Sequence, residues 1–286
     1  MKIINKTWFA CADYSWPKLT HDTALALIRG MGFTHVDLGA FYDATHLKPE
    51  EIIKDVDGSV RQVTDLIEKY ELEVGDVFLI PGVDFETRAP NNPNPEQIAD
   101  AISMFTKICE FTSKLGGFGV TVLPGNPMGG EHAEEAIGRS VKTLKNYVGI
   151  ADSFGLQVSF EPHDKSCTPS PQLAVHLVEL VDGLKITLDS GHFEYADYPV
   201  SSYGDLFNHV RHVQLRGAAF GNMQAIFPEN TTDFAMMIEK LFASGYEGGF
   251  ACEYVWTPGW ECRRVDNVSE TVLLFKYVKK LVEQQL

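Results

Sequence analysis

Short runs of β-branched and aromatic residues recur along this chain and alternate with longer amphipathic stretches. The runs are IINKTWFA, HVDL, LEVGDVFLI, FGVTVL, LQVSFE, LKITLD, HVQL and GFACEYV, eight in all. Between them lie segments of helical period such as HDTALALIRGMG, PEEIIKDVDGSVRQVTDLIEKY, NPEQIADAISMFTKICEFTSKLG and EEAIGRSVKTLKNYVGIADSFG. Several of these stop at glycine, and two open on helix-start signals: Asn94-Pro95, and Asn267 with Glu270 three residues later. Parallel strands need a crossover connection, usually a helix, so this alternation predicts an α/β fold. Eight such units within 286 residues predict a single (β/α)8 TIM barrel spanning residues 1–286 rather than an open doubly wound sheet. No GxGxxG follows the first run, which removes the simplest dinucleotide-binding alternative. The segments PGVDFETRAPNNPNP and VWTPGWECRRVD read as long loops on the strand-ending face, where barrels keep their chemistry.

Composition narrows the function. With 44% hydrophobic residues the chain can bury a large core. A net charge of −15, from 39 acidic against 24 basic residues, opposes a broad basic footprint for nucleic acid or anionic lipid. A small-molecule substrate is the better expectation. Five scattered cysteines, odd in number and without a CxxC pair, fit a reducing cytoplasm and neither a disulfide framework nor structural zinc. The start, MKIINKTWFACADYSW, is too polar and aromatic for a secretory signal, and no apolar run reaches membrane-spanning length. A soluble, unprocessed, cytoplasmic protein is expected.

Polar residues collect at the ends of the later strand runs. Glu161 ends the fifth (VSFEPH), Asp189 the sixth (ITLDSGH), Gln214 sits in the seventh (RHVQLRG) and Glu253 ends the eighth (FACEYV). In a barrel these strand ends face one mouth, so residues 28, 25 and 39 positions apart in sequence converge. Carboxylates gathered in a partly dry pocket repel one another, and a shared proton or a cation relieves them. Glu, Asp and an amide oxygen suit Mn²⁺ or Mg²⁺ better than a structural zinc site. Gln214 would then present its side-chain oxygen to the metal.

The landmarks FEPH, TLDSGH, RHVQLRG and CEYV, in this order and spacing, resemble the xylose isomerase-like barrels. That superfamily includes sugar phosphate isomerases/epimerases, ketose 3-epimerases, inosose and 3-dehydroshikimate dehydratases and, more distantly, endonuclease IV. The resemblance covers almost the whole chain. It implies Glu161, Asp189, Gln214 and Glu253 as ligands of one divalent metal, Mn²⁺ ahead of Mg²⁺ or Co²⁺. Most members place histidine at the Gln214 position, although some dehydratase-like relatives use glutamine, so the match to an ordinary ketose epimerase is incomplete. The resemblance also implies that Glu161 and Glu253 flank a bound sugar, one removing a proton and the other returning it, through a metal-stabilised enediolate.

Five further residues are candidates for substrate binding: His163 and His192, just past Glu161 and Asp189; Arg216, on the same side of the pleat as Gln214; and Gln224 and Trp256 in the last two loops. Each has a structural alternative. Gln214 can be a buried amide bonded across the barrel, either histidine can be an internally satisfied one, and Arg216 can be an ion-pair partner of Glu161 or Asp189. Trp16, Trp256 and Trp260 divide between loop packing and pocket wall, His212 and Cys252 read as structural, and Asp37 has no assigned role.

An isomerase or epimerase acting on a sugar or polyol is the simplest expectation. A lyase through the same intermediate is the rival: a dehydratase, or a C-glycoside deglycosidase, whose resemblance implies an oxidised-sugar substrate and a small partner subunit. An abasic-site endonuclease is opposed by the acidic charge and the few strand-end histidines. A catalytically inactive sugar-binding barrel is opposed by the pair Glu161 and Glu253. A homo-oligomer is compatible with all of these.

Overall fold

The computed structural model describes residues 7–285. Eight parallel strands close into a barrel in sequence order, with β8 pairing back to β1 through Phe9–Phe250 and Cys11–Cys252. The elements run β1 (Phe9–Ala12), α1 (His21–Gly30), β2 (His35–Ala40), α2 (Pro49–Lys54), α3 (Val56–Lys69), β3 (Glu73–Leu79), α4 (Pro95–Lys114) and β4 (Gly119–Val122). They continue α5 (Ala133–Ser153), β5 (Gln157–Phe160), α6 (Pro171–Glu179), β6 (Lys185–Asp189), α7 (Ser190–Tyr195), β7 (Val210–Leu215), α8 (Phe234–Ala243), β8 (Phe250–Cys252) and α9 (Asn267–Glu283). This is the expected TIM barrel. Of the run expected to form the first strand, Ile3–Lys6 lies outside the described residues.

Three connections differ from the sequence reading. The long segment between β2 and β3 is two helices, because Asp55 leaves helical geometry and turns its carboxylate onto the Gly58 N–H at 2.9 Å. Between β6 and β7 there is no long helix: the six-residue α7 gives way to 3₁₀ turns at Val200–Ser202 and Gly204–His209, with Pro199 and a left-handed Gly204 (φ 55°) interrupting any continuation. The cap of α9 is Asp266 rather than Asn267; its carboxylate accepts from the Val268 N–H at 3.1 Å. Asn94 caps α4 as expected, accepting from the Glu96 N–H at 2.9 Å.

The main apolar core lies between sheet and helices, where Val213, Leu215 and Cys252 are buried as the strand alternation requires. The barrel interior is largely polar. The β6–β7 register slips so that Ile186 pairs Val210 while Thr187 pairs His212, and the β2–β3 register slips likewise between Val36 and Leu38. These bulges insert one extra residue each, and the one in β7 turns Arg211 inward toward Asp76. Arg211 grips Asp76 at 2.9 and 3.1 Å and also reaches Ser159, while Thr187 bonds Thr121 and Ser159. His212 pairs with Asp37 at 2.6 Å, confirming its structural place and giving Asp37 a partner. Trp8, stacked 4.7 Å from His35 and 5.5 Å from His212, covers this layer from the N-terminal end. All five cysteines are buried and unpaired. Among the described residues no helix is long and apolar enough to cross a membrane.

Candidate functional site

At the C-terminal mouth the barrel register sets the polar residues side by side. Asp189 pairs across the strands with Gln214, Gln214 with Ala251, and Leu215 with Cys252, so that Glu253 follows one residue beyond β8. Glu161 follows β5 in the same way, its N–H bonded to the Val122 carbonyl at 2.9 Å. All four side chains are buried. Glu161 and Glu253 line a cavity of about 260 Å³, which His163, His192, Arg216, Trp256 and Trp260 also border. A larger hollow at the N-terminal face adjoins the start of the described residues and holds none of these groups.

The electrostatics are dominated by uncompensated negative charge. Arg216 donates to Asp189 and stands 4.0 Å from Glu253. Burial alone would raise Asp189, but the guanidinium and the neighbouring His192 hold it below its ordinary value. Glu161 is pushed well up by burial, then by repulsion from Glu253 and Asp189. Glu253 is also pushed up by burial, with Arg216 acting against the shift. Three carboxylates against one guanidinium leave two negative charges to be met when all three ionise.

The two histidines are neutral and present opposite faces. Burial lowers His192 to about 3 and His163 to about 4. One residue, Asp164, sets both tautomers through the two peptide units on either side of its Cα. The Asp164 N–H lies 3.4 Å from His192 Nδ1, which must therefore accept, so the proton sits on Nε2. His163 Nδ1 lies 2.8 Å from the Asp164 carbonyl and must donate, so its Nε2 carries the lone pair. That Nε2 is buried without a partner. The Asp164 carboxylate meanwhile accepts from the Trp260 indole at 3.1 Å, tying the last loop to the same point.

A divalent cation fits this donor set. Glu161, Asp189 and His192 each offer an atom within 4.8 Å of the others. With the proton on Nε2 and Nδ1 accepting from Asp164, His192 has no free lone pair for the cation, although its Nε2 lies 3.5 Å from Asp189. The atoms left over are the telling ones. Glu161 Oε1, Gln214 Oε1 and Glu253 Oε2 are buried with no hydrogen-bond partner, a costly state for oxygen lone pairs unless something positive completes them.

The structure places the remaining candidates in different settings. Arg216 takes the ion-pair role with Asp189 and borders the cavity as well. Trp256 is 38% exposed at the rim, with the Lys18 ammonium 5.0 Å from its ring centre. Gln224 does not face the cavity. Its NH₂ donates to the Val255 and Cys262 carbonyls at 2.9 and 2.6 Å and its oxygen accepts from the Val255 N–H at 2.8 Å, so both ends of the amide are used in bracing the last loop. Tyr14 and Asp164 were not singled out by the sequence reading. Tyr14 lies two residues past β1, where the strand-end rule applied to the later strands would also have found it.

An eight-stranded parallel barrel closed in sequence order, with acids, an amide and two histidines at its strand-ending mouth, is a TIM barrel with a polar pocket at one end. The chain belongs to the xylose isomerase-like TIM barrel family, whose model matches residues 25–276. Among curated protein sequences none matches. Solved structures share the fold. A D-tagatose 3-epimerase-like protein is 19% identical with a TM-score of 0.74, the match covering 97% of this chain and 99% of that one. D-psicose 3-epimerase from Clostridium cellulolyticum H10, solved with D-tagatose, is 13% identical with a TM-score of 0.76, covering 96% and 99%. IolI protein, solved with a zinc atom, is 15% identical with a TM-score of 0.74, covering 98% and 99%.

Proposed function

We propose that this protein is a divalent-metal-dependent enzyme that moves a proton next to the carbonyl of a keto-sugar, most simply as an isomerase or epimerase. The observation that carries the reading is the set of buried, unpartnered oxygens on Glu161, Gln214 and Glu253 around the Asp189–Arg216 pair. Glu161, Asp189, Gln214 and Glu253 would hold the cation, Mn²⁺ ahead of Mg²⁺ or Co²⁺. When bound, the cation polarises a substrate carbonyl and stabilises the charge that develops on its oxygen.

The chain's own residues supply the rest. Glu161 and Glu253, both pushed above the ordinary carboxylate range by burial, are suited to taking and returning a proton. One takes the proton from the carbon beside the carbonyl. The other returns a proton to the opposite face, so the carbon is inverted and nothing is lost. His192 donates from Nε2 to a substrate oxygen and His163 accepts from a hydroxyl. Arg216 keeps Asp189 ionised. Names of the structural neighbours, which include D-psicose 3-epimerase solved with D-tagatose, support a small carbohydrate.

A lyase outcome has its own support, since the cavity wall is strongly aromatic: Tyr14, Phe41, Tyr42, Phe78, Phe85, Trp256 and Trp260. Such a wall offers stacking faces to an aglycone as readily as to a sugar ring. Incubation of the Mn²⁺-loaded protein with free ketohexoses in D₂O tests both. Deuterium entering the sugar beside its carbonyl, lost in Glu161→Gln, supports the epimerase. Release of an aromatic fragment from an oxidised aryl C-glycoside, without exchange into free ketose, supports the lyase. Absence of both with metal bound would defeat the enediolate chemistry.

A further inference from the structure

Glutamine as a ligand raises a difficulty that histidine does not. The two ends of its amide have the same shape, yet only the oxygen can hold a cation, and a half-turn of the last torsion exchanges them. Something must fix that torsion. Here Gln214 Nε2 donates to the Tyr14 hydroxyl at 3.2 Å, while Gln214 Oε1 is buried and unpartnered.

Tyr14 is itself held from several sides. Its ring is 4% exposed and meets Phe41 edge-on at 4.9 Å and Phe78 at 6.3 Å. Gly39 on β2 makes the room, since a Cβ there would lie 2.5 Å from Tyr14 Cδ1. The Gly39 N–H is anchored in turn to the Asp13 carboxylate at 2.9 Å, in the residue just before Tyr14. The chain thus spends a glycine, an aromatic pair and a buried aspartate on the placement of one phenol.

We infer that Tyr14 is a positioning residue that makes Gln214 a cation ligand: its hydroxyl captures the amide NH₂ and so commits the amide oxygen to the carboxylate cluster. Tyr14 and Gln214 together do what a lone histidine, which has no amide to turn, would do by itself. The inference rests on the cation site proposed above and adds the device that orients its least conventional ligand.

Mn²⁺ affinity of the full chain, read by calorimetry and by loss of the free-ion paramagnetic signal, tests it in a double-mutant cycle of Tyr14→Phe and Gln214→His. Tyr14→Phe is expected to weaken binding about tenfold in the glutamine background, the equivalent of one ordinary hydrogen bond. In the Gln214→His background the same change is expected to alter affinity less than about twofold, because imidazole has no amide to orient. Thermal unfolding in chelator shows whether Tyr14→Phe keeps the fold. Equal weakening in both backgrounds, or none in the glutamine background, overturns the role of Tyr14. Failure of the wild-type chain to bind Mn²⁺, Co²⁺ or Zn²⁺ overturns the cation site, and the inference with it, and is distinguished by that first titration.

Discussion

Glu161 and Glu253 carry the clearest consequence at the scale of single residues. Their folded pKa values stand above those of an unfolded glutamate, so between the two values the native state binds more protons than the unfolded chain. The slope of unfolding free energy with pH is therefore negative in that window. Stability is complete below the unfolded value near pH ~4.3 and is lost as pH rises through the folded values. Asp189, lowered, contributes the opposite trend, but only as pH falls through its own depressed value. Metal-free protein is thus expected to melt at lower temperature at pH ~7.5 than at pH ~5.5, and Glu161→Gln to flatten the difference. A rising midpoint over that range would contradict the burial of neutral carboxyls. Under the proposed chemistry, Glu161→Gln should also slow solvent-proton exchange by roughly 10²-fold or more with the fold intact. Scanning calorimetry and a D₂O exchange assay read the two effects separately.

At the scale of elements, the strands were legible because each presents β-branched runs bounded by helical period, and the strand-end acids because a barrel puts consecutive ends at one mouth. Local breaks were less legible. Asp55 looks like one more polar residue in an amphipathic run, and only its carboxylate on the Gly58 N–H divides α2 from α3. Asp55→Ala should cost about 1 kcal/mol in urea unfolding, the usual worth of such a cap. Gln224 was misjudged for a related reason: position in a mouth loop does not fix direction, and this amide turns inward to backbone carbonyls. Tyr14 was overlooked because the strand-end rule was applied only to the later strands, although Asp13 stands one residue past β1 as Glu253 stands past β8. Replacing Gly39 by alanine should disturb this end of the barrel more than Gly138→Ala, since a Cβ at Gly39 meets Tyr14 and Phe41 while one at Gly138 meets nothing within 4 Å.

For the whole molecule, the polar barrel interior sets a limit on stability that the apolar core does not. Arg211 and Asp76 come from β7 and β3, on opposite parts of the barrel, and their side chains are almost wholly buried. Removing one charge leaves the other stranded, so Arg211→Met is expected to destabilise by about 3–5 kcal/mol, and Asp76→Asn combined with it by much less than the sum. Urea titration of the four proteins decides between coupled and independent losses. Arg211 was not legible in the sequence because the β7 bulge turns it inward beside the inward-facing His212, against simple alternation.

The opposed histidines beneath the mouth have a further meaning. A ketone oxygen can only accept and an alcohol can do either, so a ketone facing His163 would set lone pair against lone pair, while one facing His192 is welcomed. The Asp164 backbone, by holding both rings in fixed tautomers, would let the protein tell an oxidised carbon from a reduced one and seat the sugar in a single direction, before any proton moves.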